Sequence, residues 1–394
     1  MNLAHFIRRG GATLILGAAI LVVVVNPLRW VRGDATAARQ PDGRFQDLRY
    51  APPASPLLRA ILSPHVPVTE RCERLFAIGG EECQPTTESE LSTVPAPIAR
   101  RGAAYEYAPS LTRPALEWSI EGQPEGLQID AASGVVSGTP TQIGRYEMVV
   151  RAALSPDSLV QQRVALYVDD RSLWLGADRF GDDIAVLLAD ALRNALLPGL
   201  AMVLIAVAGG AIVGAYAGYY GGVLRACVRA AVSTLQSIPG VLLVFVAASA
   251  SDLNRWVITA VVGCILLPDV AAGVQQRVEA FRSSDFVQAA TELGLRDRTT
   301  LWWEIMWHNV RGYLIERTAV VFHAAILMDV TLSYVGLRDA QVVSLGGMLK
   351  SGRSSLTSGA SSSEAAAALL GLLLLIVTIS MVTRGLQKLA SRPQ

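Results

Sequence analysis

Five long apolar runs dominate the second half of the chain, and each is long enough to cross a membrane as a helix. An α-helix rises about 1.5 Å per residue, so about 20 apolar residues cover the roughly 30 Å hydrocarbon core of a bilayer. The runs lie at residues 195–220, 230–251, 256–276, 318–337 and 365–383. A buried helix of a soluble protein could match one of them. Five in succession predict a mainly α-helical polytopic membrane protein.

A shorter apolar run lies at residues 10–25, directly after Arg8 and Arg9. A basic flank followed by an apolar stretch fits either a cleaved secretory signal or an uncleaved membrane anchor. The end of the run, VVVVNPLRW, offers no small-x-small cleavage site. We therefore favour an anchor, which brings the expected number of transmembrane helices to about six.

Basic residues near the ends of the runs predict the orientation, because Lys and Arg concentrate on the cytoplasmic side. Arg8 and Arg9 place the N-terminus in the cytoplasm, and six spans return the C-terminus to the same side, where Arg384 and Lys388 lie. Residues 31–180 then lie outside, on the periplasmic side of an inner membrane. Three basic residues on the outer side run against the pattern: Arg338, Lys350 and Arg353.

The region between the first and second predicted spans has a different character. Residues 31–100 are rich in Pro, Arg and Ala, and we expect an irregular periplasmic segment there. Residues 101–172 contain short, partly alternating segments separated by Gly, Pro and Asp, which is typical of an all-β domain. The predicted order is a cytoplasmic N-terminus and anchor at 1–30, the irregular segment, the β domain, and a transmembrane domain at 173–394.

Composition narrows the possible functions and suggests one crosslink. Of 394 residues only 17% are charged, and the net charge of +1 gives no reason to expect a nucleic-acid partner. Cys72 and Cys83 lie in a polar region, and we expect them to form a disulfide if that region faces an oxidising compartment. The alternative is two unrelated thiols. No residue cluster indicates a metal site.

A charged stretch between the fourth and fifth predicted spans, DFVQAATELGLRDRTTLWWEIMW at 285–307, has the pattern of two short helices. The first runs over 286–293, and Gly294 can end it in a left-handed cap. Thr299 or Thr300 can cap a second helix. The apolar side chains of that helix are Leu301, Trp302, Ile305 and Met306. Such a projection suits docking to another protein, while a helix lying on lipid and a solvated loop are the alternatives.

The β region carries a resemblance of its own. The text LEWSIEGQPEGLQIDAASGVVSGTPTQIGRYEMVV resembles the Ig-like modules of bacterial surface proteins, whose pattern includes P-x-GL, D-x-x-SG and SGTPT-x-x-G-x-Y. Gly134 and Gly138 suit turns that need a positive φ, and Pro140 cannot lie in a central strand. The resemblance implies a sandwich fold, for which a spacer or docking role is favoured over ligand binding. Asp130 is interpreted as a turn residue.

The transmembrane region resembles the permease subunits of ABC importers, and in particular the dipeptide, oligopeptide and nickel subfamily. Its 285–309 segment resembles the EAA loop, with Gln288, Ala289, Ala290 and Gly294 at the positions of E-A-A-x-x-x-G. Five further stretches match family motifs: LGADRFGDD, AGYYGG, SIPGVLL, AILMDVTLSYVGL and SLGGMLKSGR. The family's glutamate is Gln288 here, which keeps hydrogen bonding and loses the charge.

The resemblance implies the following assembly. A homologous sister permease completes the solute pathway, two cytoplasmic ATPase subunits supply ATP and Mg²⁺ chemistry, and a periplasmic solute-binding protein delivers the solute. The implied ATPase-coupling residues are Gln288, Ala289, Ala290, Gly294, Leu295, Arg296, Trp302 and Ile305. The chain itself is expected to bind no cofactor and to contact membrane lipid. Di- or oligopeptides are the expected solutes.

Two further observations bear on the function. No G-x-x-x-x-G-K-[ST] occurs, so the phosphate cradle of an ATPase is missing and the chain is expected to be a transport subunit, not an enzyme. A charge inside a span is costly, so Asp329 is expected to face either a neighbouring span or the pathway.

The competing hypotheses are a membrane-anchored adhesion or scaffold protein that uses the Ig-like domain, and a permease that exports or senses.

Overall fold

A computed structural model describes residues 51–54, 68–75, 80–85, 96–111, 113–156, 158–171, 173–250, 254–337, 342–357 and 363–390. The apolar run at 10–25 lies outside the described residues. The chain divides into two compact units. A helical unit contains residues 188–350 and 368–394 together with the chain's start, and a second unit contains residues 28–187 and 351–367.

The described residues of the second unit form two mainly antiparallel sheets with nine strands. The strands are β1 Val68–Leu75, β2 Gly80–Pro85, β3 Ile98–Arg100, β4 Tyr105–Tyr107, β5 Glu117–Glu121, β6 Leu127–Ile129, β7 Val136–Gly138, β8 Gly144–Ser155 and β9 Ser158–Asp169. The larger sheet has the order β2-β1-β9-β8-β5, with β3 parallel to β9, and the smaller has the order β4-β7-β6. This region is the predicted β-sandwich-like domain.

Alternating side chains fill the core of this unit. Along β8 the buried positions include Met148, Val150 and Ala152, which pack with Trp118 and Val160 in one hydrophobic cluster. Alternation of this kind is what a strand with one face on a core requires. The predicted positive φ is confirmed at Gly134 (+75°), which follows a turn, and at Gly138 (+144°), which ends strand β7 instead of lying in a turn.

Asp130 has the turn role expected of it. Its carboxylate accepts hydrogen bonds from Ala132 N at 2.9 Å and from Ser133 Oγ at 3.0 Å. These bonds, the Ala132 one first, lower the pKa of the exposed Asp130 carboxyl below its usual value. The residue therefore organises the bend between β6 and β7.

The segment predicted as irregular at 31–100 contributes three of these strands. β1 and β2 form a hairpin in which Cys72 and Cys83 are directly opposite and joined by a disulfide, which confirms the predicted crosslink. β1 also pairs with β9, and β3 with the end of β9. The prediction missed β1 and β3 because their partner β9 lies far along the chain, as in the pairs Val68–Arg163 and Ile98–Tyr167, where no local pattern reveals it.

The helical elements begin after a short turn at 173–183. They are α1 Ile184–Tyr220, α2 Gly222–Ser237, α3 Gly240–Ala250, α4 Arg255–Arg282, α5 Asp285–Glu292, α6 Asp297–Thr299, a π-helix Thr300–Val310, α7 Arg311–Val335, α8 Leu345–Thr357 and α9 Ser363–Ala390. Within the described part of the chain, four stretches are long and apolar enough to cross a membrane: Ile184–Tyr220, Arg255–Arg282, Asp297–Val335 and Ser363–Lys388.

The predicted span at 230–251 is not one helix. α2 ends at Ser237, Ile238 adopts an extended conformation (φ −107°, ψ 127°), and α3 begins at Gly240. Pro239 causes the break, because proline lacks an N–H and forces the preceding residue out of the helical region. Pro268, in contrast, lies inside α4 without ending it.

A glycine stripe on α1 determines how closely α4 approaches. A Cβ built on Gly210 would lie 2.9 Å from the Leu267 carbonyl oxygen, and one on Gly218 would lie 2.7 Å from that of Gln275. A Cβ on Gly214 would meet the Ala271 carbonyl oxygen still more closely. Small residues at helical spacing let two backbones meet in this way. The predicted close packing of the small-residue run in α1 is thereby confirmed.

Candidate functional site

The helix–glycine–helix segment between α4 and the π-helix has the form that the sequence predicts for its first half. α5 runs from Asp285 to Glu292. The carboxylate of Asp285 lies in its first turn, where a negative charge interacts favourably with the helix dipole. The helix ends in a Schellman motif: Leu295 N donates to Ala290 O at 3.1 Å and Gly294 N to Thr291 O at 3.0 Å. Gly294 has φ +77°, so the left-handed cap is confirmed.

The second helix starts earlier than predicted. Arg296 is extended (φ −68°, ψ 136°) and precedes α6, while Thr299 already has helical dihedrals. The predicted cap by Thr299 or Thr300 is therefore wrong. A tertiary contact explains the shift, because the Tyr219 hydroxyl donates a hydrogen bond of 3.0 Å to Asp297 Oδ1 at the start of α6.

The π-helix turns one face inward and another outward. Leu301, Ile305 and Val310 are fully buried, whereas the rings of Trp303 and Trp307 are more than half exposed and stack with centroids 6.3 Å apart. π-helical stretches are rare and occur most often at functional sites. Apolar side chains of this helix thus lie both in the interior of the helical unit and on its surface.

The predicted coupling residues separate into two groups. Gln288, Ala289, Gly294, Leu295 and Arg296 are exposed on one continuous stretch of chain and could contact another protein directly. The remaining three are Ala290, Trp302 and Ile305. Of these, Ala290 and Ile305 are buried and Trp302 is half-buried. These three side chains are turned away from solvent, and Ile305 offers no surface for docking.

An exposed leucine adds to the surface that the sequence pattern outlined. Leu293, the residue before Gly294, is 83% exposed, and Phe286 on the same helix is also exposed. Large apolar side chains exposed next to charged ones are typical of protein contact surfaces. Sequence reasoning treated Leu293 only as the end of a helix, because exposure cannot be read from a helix of two turns.

Two tyrosines at the end of α1 connect this segment to a candidate span. Tyr219 is buried and bonds to Asp297, as described above, and the Arg282 guanidinium lies 5.7 Å from its ring centre. Tyr216 meets Trp302 edge-on with centroids 6.1 Å apart. These contacts join the 297–302 segment to the end of α1.

The polar residues predicted inside the spans have distinct surroundings. Asp329 is buried in the helical unit, in agreement with the expectation that it faces away from lipid. His323 Nε2 lies 3.2 Å from the Ile376 carbonyl oxygen and 3.2 Å from Ser380 Oγ, both on α9. These contacts make His323 a satisfied polar residue between two helices. Whether Asp329 lines the pathway stays a prediction.

The turn before α1 contains two buried acids that belong to the LGADRFGDD stretch. Asp178 Oδ1 accepts hydrogen bonds from Phe180 N and Asp182 N, and Asp183 Oδ1 accepts one from Ala185 N at the start of α1. Burial raises the pKa of both carboxyls, although the backbone N–H groups act in the opposite direction. The two acids therefore shape the turn and cap the helix.

Comparison with known proteins supports both halves of this description. Residues 84–168 match the family model described as "Putative Ig domain". The chain is 24% identical over 183 residues to a "Putative peptide permease protein" of Brucella ovis and, at the same identity, to one of Brucella suis. Each alignment covers 46% of this chain and 60% of the relative, so the chain spans 60% of the length of these curated relatives.

A solved structure with partial similarity is a putative alpha-galactosidase from Bacteroides fragilis. It is 19% identical, covers 26% of this chain and 24% of its own, and has a TM-score of 0.17, which is too low to carry an argument. The permease similarity, the Ig-like match and the four apolar helices together support a membrane protein of the transport class. The chain is thus distantly similar to putative peptide permeases over 183 residues and contains a region that matches an Ig domain model.

Proposed function

We propose that this chain is the permease subunit of an ATP-driven ABC importer for di- or oligopeptides, located in a bacterial inner membrane. It forms half of the solute pathway, and a homologous sister permease forms the other half. Two cytoplasmic ATPase subunits dock beneath the two permeases, one of them on the 285–296 segment of this chain, and a periplasmic solute-binding protein delivers the peptide. The Ig-like domain faces the periplasm, which agrees with its disulfide, because disulfides persist in oxidising compartments.

The observation that carries the proposal is the combination of an exposed surface and a rigid connection in one short segment. The surface consists of Gln288, Ala289, Leu293, Leu295 and Arg296. The Schellman motif fixes its shape, and the Tyr219–Asp297 hydrogen bond connects it to α1. A motor that moves this surface therefore moves a candidate span, which is what coupling of ATP hydrolysis to transport requires.

Substitution of Leu293 tests the docking surface. Leu293→Asp adds a charge to a side chain that is 83% exposed, so the fold is retained while apolar contact with a partner is lost. We expect the ATPase subunits to co-purify with the parent chain in mild detergent and to be depleted at least tenfold with the variant. Leu116→Asp is the matched control, since Leu116 is 69% exposed in the other unit. Equal recovery of ATPase with both variants would contradict the proposal.

The Ig-like match keeps a second candidate function in view, a membrane-anchored adhesion or scaffold protein. In that case the β domain carries the activity and the helices only hold it. Deletion of residues 68–169 would then abolish surface binding, and Leu293→Asp would have no consequence. Peptide uptake that depends on Leu293 would exclude this alternative.

A further inference from the structure

An ion pair lies in the middle of two candidate spans. Asp269 is near the centre of the 28-residue helix α4, and Arg317 is near the centre of the 39-residue candidate span Asp297–Val335. The guanidinium of Arg317 contacts the carboxylate of Asp269 directly. Asp269 lies within the predicted span at 256–276, and Arg317 directly precedes the one at 318–337.

The pair belongs to a polar seam, by which we mean Asp269, Gly273 and Arg277 on α4 with Tyr313 and Arg317 on α7. The α4 members are four residues apart and so share one helix face. The Arg277 guanidinium lies 3.6 Å from the Tyr313 ring centre, and the Tyr313 hydroxyl occupies the space that a side chain at Gly273 would fill. The seam therefore runs along the α4–α7 contact from the middle of the spans toward the 285–296 segment.

The seam is open on one side. The side chain of Asp269 is 51% exposed and that of Arg317 is 25% exposed in the isolated chain. Glu316 is exposed beside them, and Gln387 of α9 approaches it, with 3.5 Å between Nε2 and Oε2. Arg317 Nε is buried and has no hydrogen-bond partner among the described residues.

An open charged seam within two candidate spans is unfavourable against lipid. Charged side chains inside membrane-spanning segments face a bundle interior or a water-filled cavity and mark solute pathways. The seam holds both signs of charge, Asp269 against Arg277 and Arg317, and the exposed Glu316 adjoins Arg317 in sequence. Opposite charges side by side are the complement of a zwitterion.

We propose that the polar seam lines the aqueous solute pathway and binds the charged ends of a zwitterionic peptide. The peptide's ammonium group binds the Asp269 carboxylate and its carboxylate binds the Arg317 guanidinium, whose planar fork suits a carboxylate. In the absence of a solute the two side chains neutralise each other. This inference rests on the proposed transport function and names the groups of the solute that the membrane subunit recognises.

Accessibility to a charged thiol reagent tests whether the seam is wet. In a chain with Cys227→Ser and Cys264→Ser, we expect Asp269→Cys to react quickly with a membrane-impermeant, positively charged methanethiosulfonate in the assembled transporter. The control is Leu204→Cys, since Leu204 is 68% exposed on the apolar α1 and is expected to react at least tenfold more slowly. Equal slow reaction at both positions would overturn the proposal.

Uptake of alanylalanine into vesicles that contain the assembled transporter tests the binding role. We expect Asp269→Asn and Arg317→Gln each to lower uptake at least tenfold while the complex still assembles. The exchange Asp269→Arg with Arg317→Asp restores a pair but reverses its direction. If the pair is only structural, the exchange recovers uptake, and the proposal fails. If it binds the solute, uptake stays low although the complex assembles.

The two proposals fail in different ways. Normal uptake by Asp269→Asn and Arg317→Gln, with an intact complex, removes the seam from the pathway and leaves the transport function standing. Absence of both uptake and ATPase co-purification in the parent chain removes the proposed function itself.

Discussion

The α1–α4 contact and the 285–296 segment both depend on glycine, but for opposite physical reasons. At Gly214 the backbone dihedrals are ordinary, and a Cβ would collide with the Ala271 carbonyl oxygen of α4. At Gly294 a Cβ would meet nothing within 4 Å, and the requirement is the φ of +77°. The first glycine is needed for space and the second for conformation.

This difference separates assembly from coupling. Apolar helices in lipid associate through close packing and not through the hydrophobic effect, so loss of the glycine stripe removes what holds α1 on α4. The exposed cap at Gly294 shapes a surface, and the rest of the helical unit does not rely on it. Substitutions at Gly214 should therefore impair assembly of the helices, whereas substitutions at Gly294 should impair coupling.

Gly214→Leu is expected to have the largest effect. The leucine side chain must enter the space held by Ala271 and Val274, so α1 and α4 have to separate. Overpacking in a tight contact costs about 1–3 kcal/mol or more, and here it acts on backbone atoms, which cannot rotate away. We expect loss of most monodisperse protein in detergent and a fall in Tm of any that remains.

Gly312→Ala is the control for that variant, because a Cβ at Gly312 meets nothing within 4 Å in the first turn of α7. Alanine is favoured over glycine in helices by up to about 1 kcal/mol, so Tm should stay constant or rise. Similar Tm and yield for Gly214→Leu and Gly312→Ala would show that the close contact does not hold the two helices together.

Gly294→Val is expected to have an intermediate effect that is confined to transport. A left-handed φ costs a residue with a Cβ about 1–2 kcal/mol, and a β-branched residue pays the upper part of that range. The Schellman bonds should rearrange, with little change in Tm and at least a fivefold fall in ATP-dependent uptake. Gly294→Asn should retain most uptake, because asparagine tolerates this conformation. Equal loss with valine and asparagine would contradict the conformational explanation.

Tyr219→Phe is expected to have the smallest effect. It removes the hydrogen bond to Asp297 and keeps the ring beside Arg282, so the net loss is about 1 kcal/mol. Uptake should fall by a few-fold at unchanged yield. The same change at the exposed Tyr220 leaves the Asp297 bond in place and should be silent. If Tyr220→Phe were as damaging as Tyr219→Phe, the connection from the segment to α1 would not run through that bond.

Local patterns were sufficient for part of the fold and of the site. Gly294 follows a short amphipathic helix and could be identified as its cap from neighbouring residues alone. Small residues at 210, 214 and 218 recur at helical spacing, which is enough to predict close packing. The Cys72–Cys83 crosslink was predictable because both cysteines lie in a polar stretch, away from the apolar runs.

Features that depend on distant residues were not predictable from the same patterns. The second helix begins at Asp297 instead of near Thr299 because Tyr219, 78 residues earlier, binds its first turn. The Asp269–Arg317 pair joins residues 48 positions apart, and nothing in either neighbourhood indicates the other. Pro239 indicates a kink or a break in a helix. Whether the helix breaks completely depends on whether neighbouring helices compensate the lost hydrogen bond.

Strand β9 implies an order of events during synthesis. The β1–β2 hairpin pairs locally and can be closed by its crosslink as soon as Cys83 has emerged. The main sheet waits for residues 158–169, which give β1, β3 and β8 their common neighbour. Until the ribosome has delivered them, β1, β3 and β8 lack the strand that joins them into one sheet, so the main sheet is completed late.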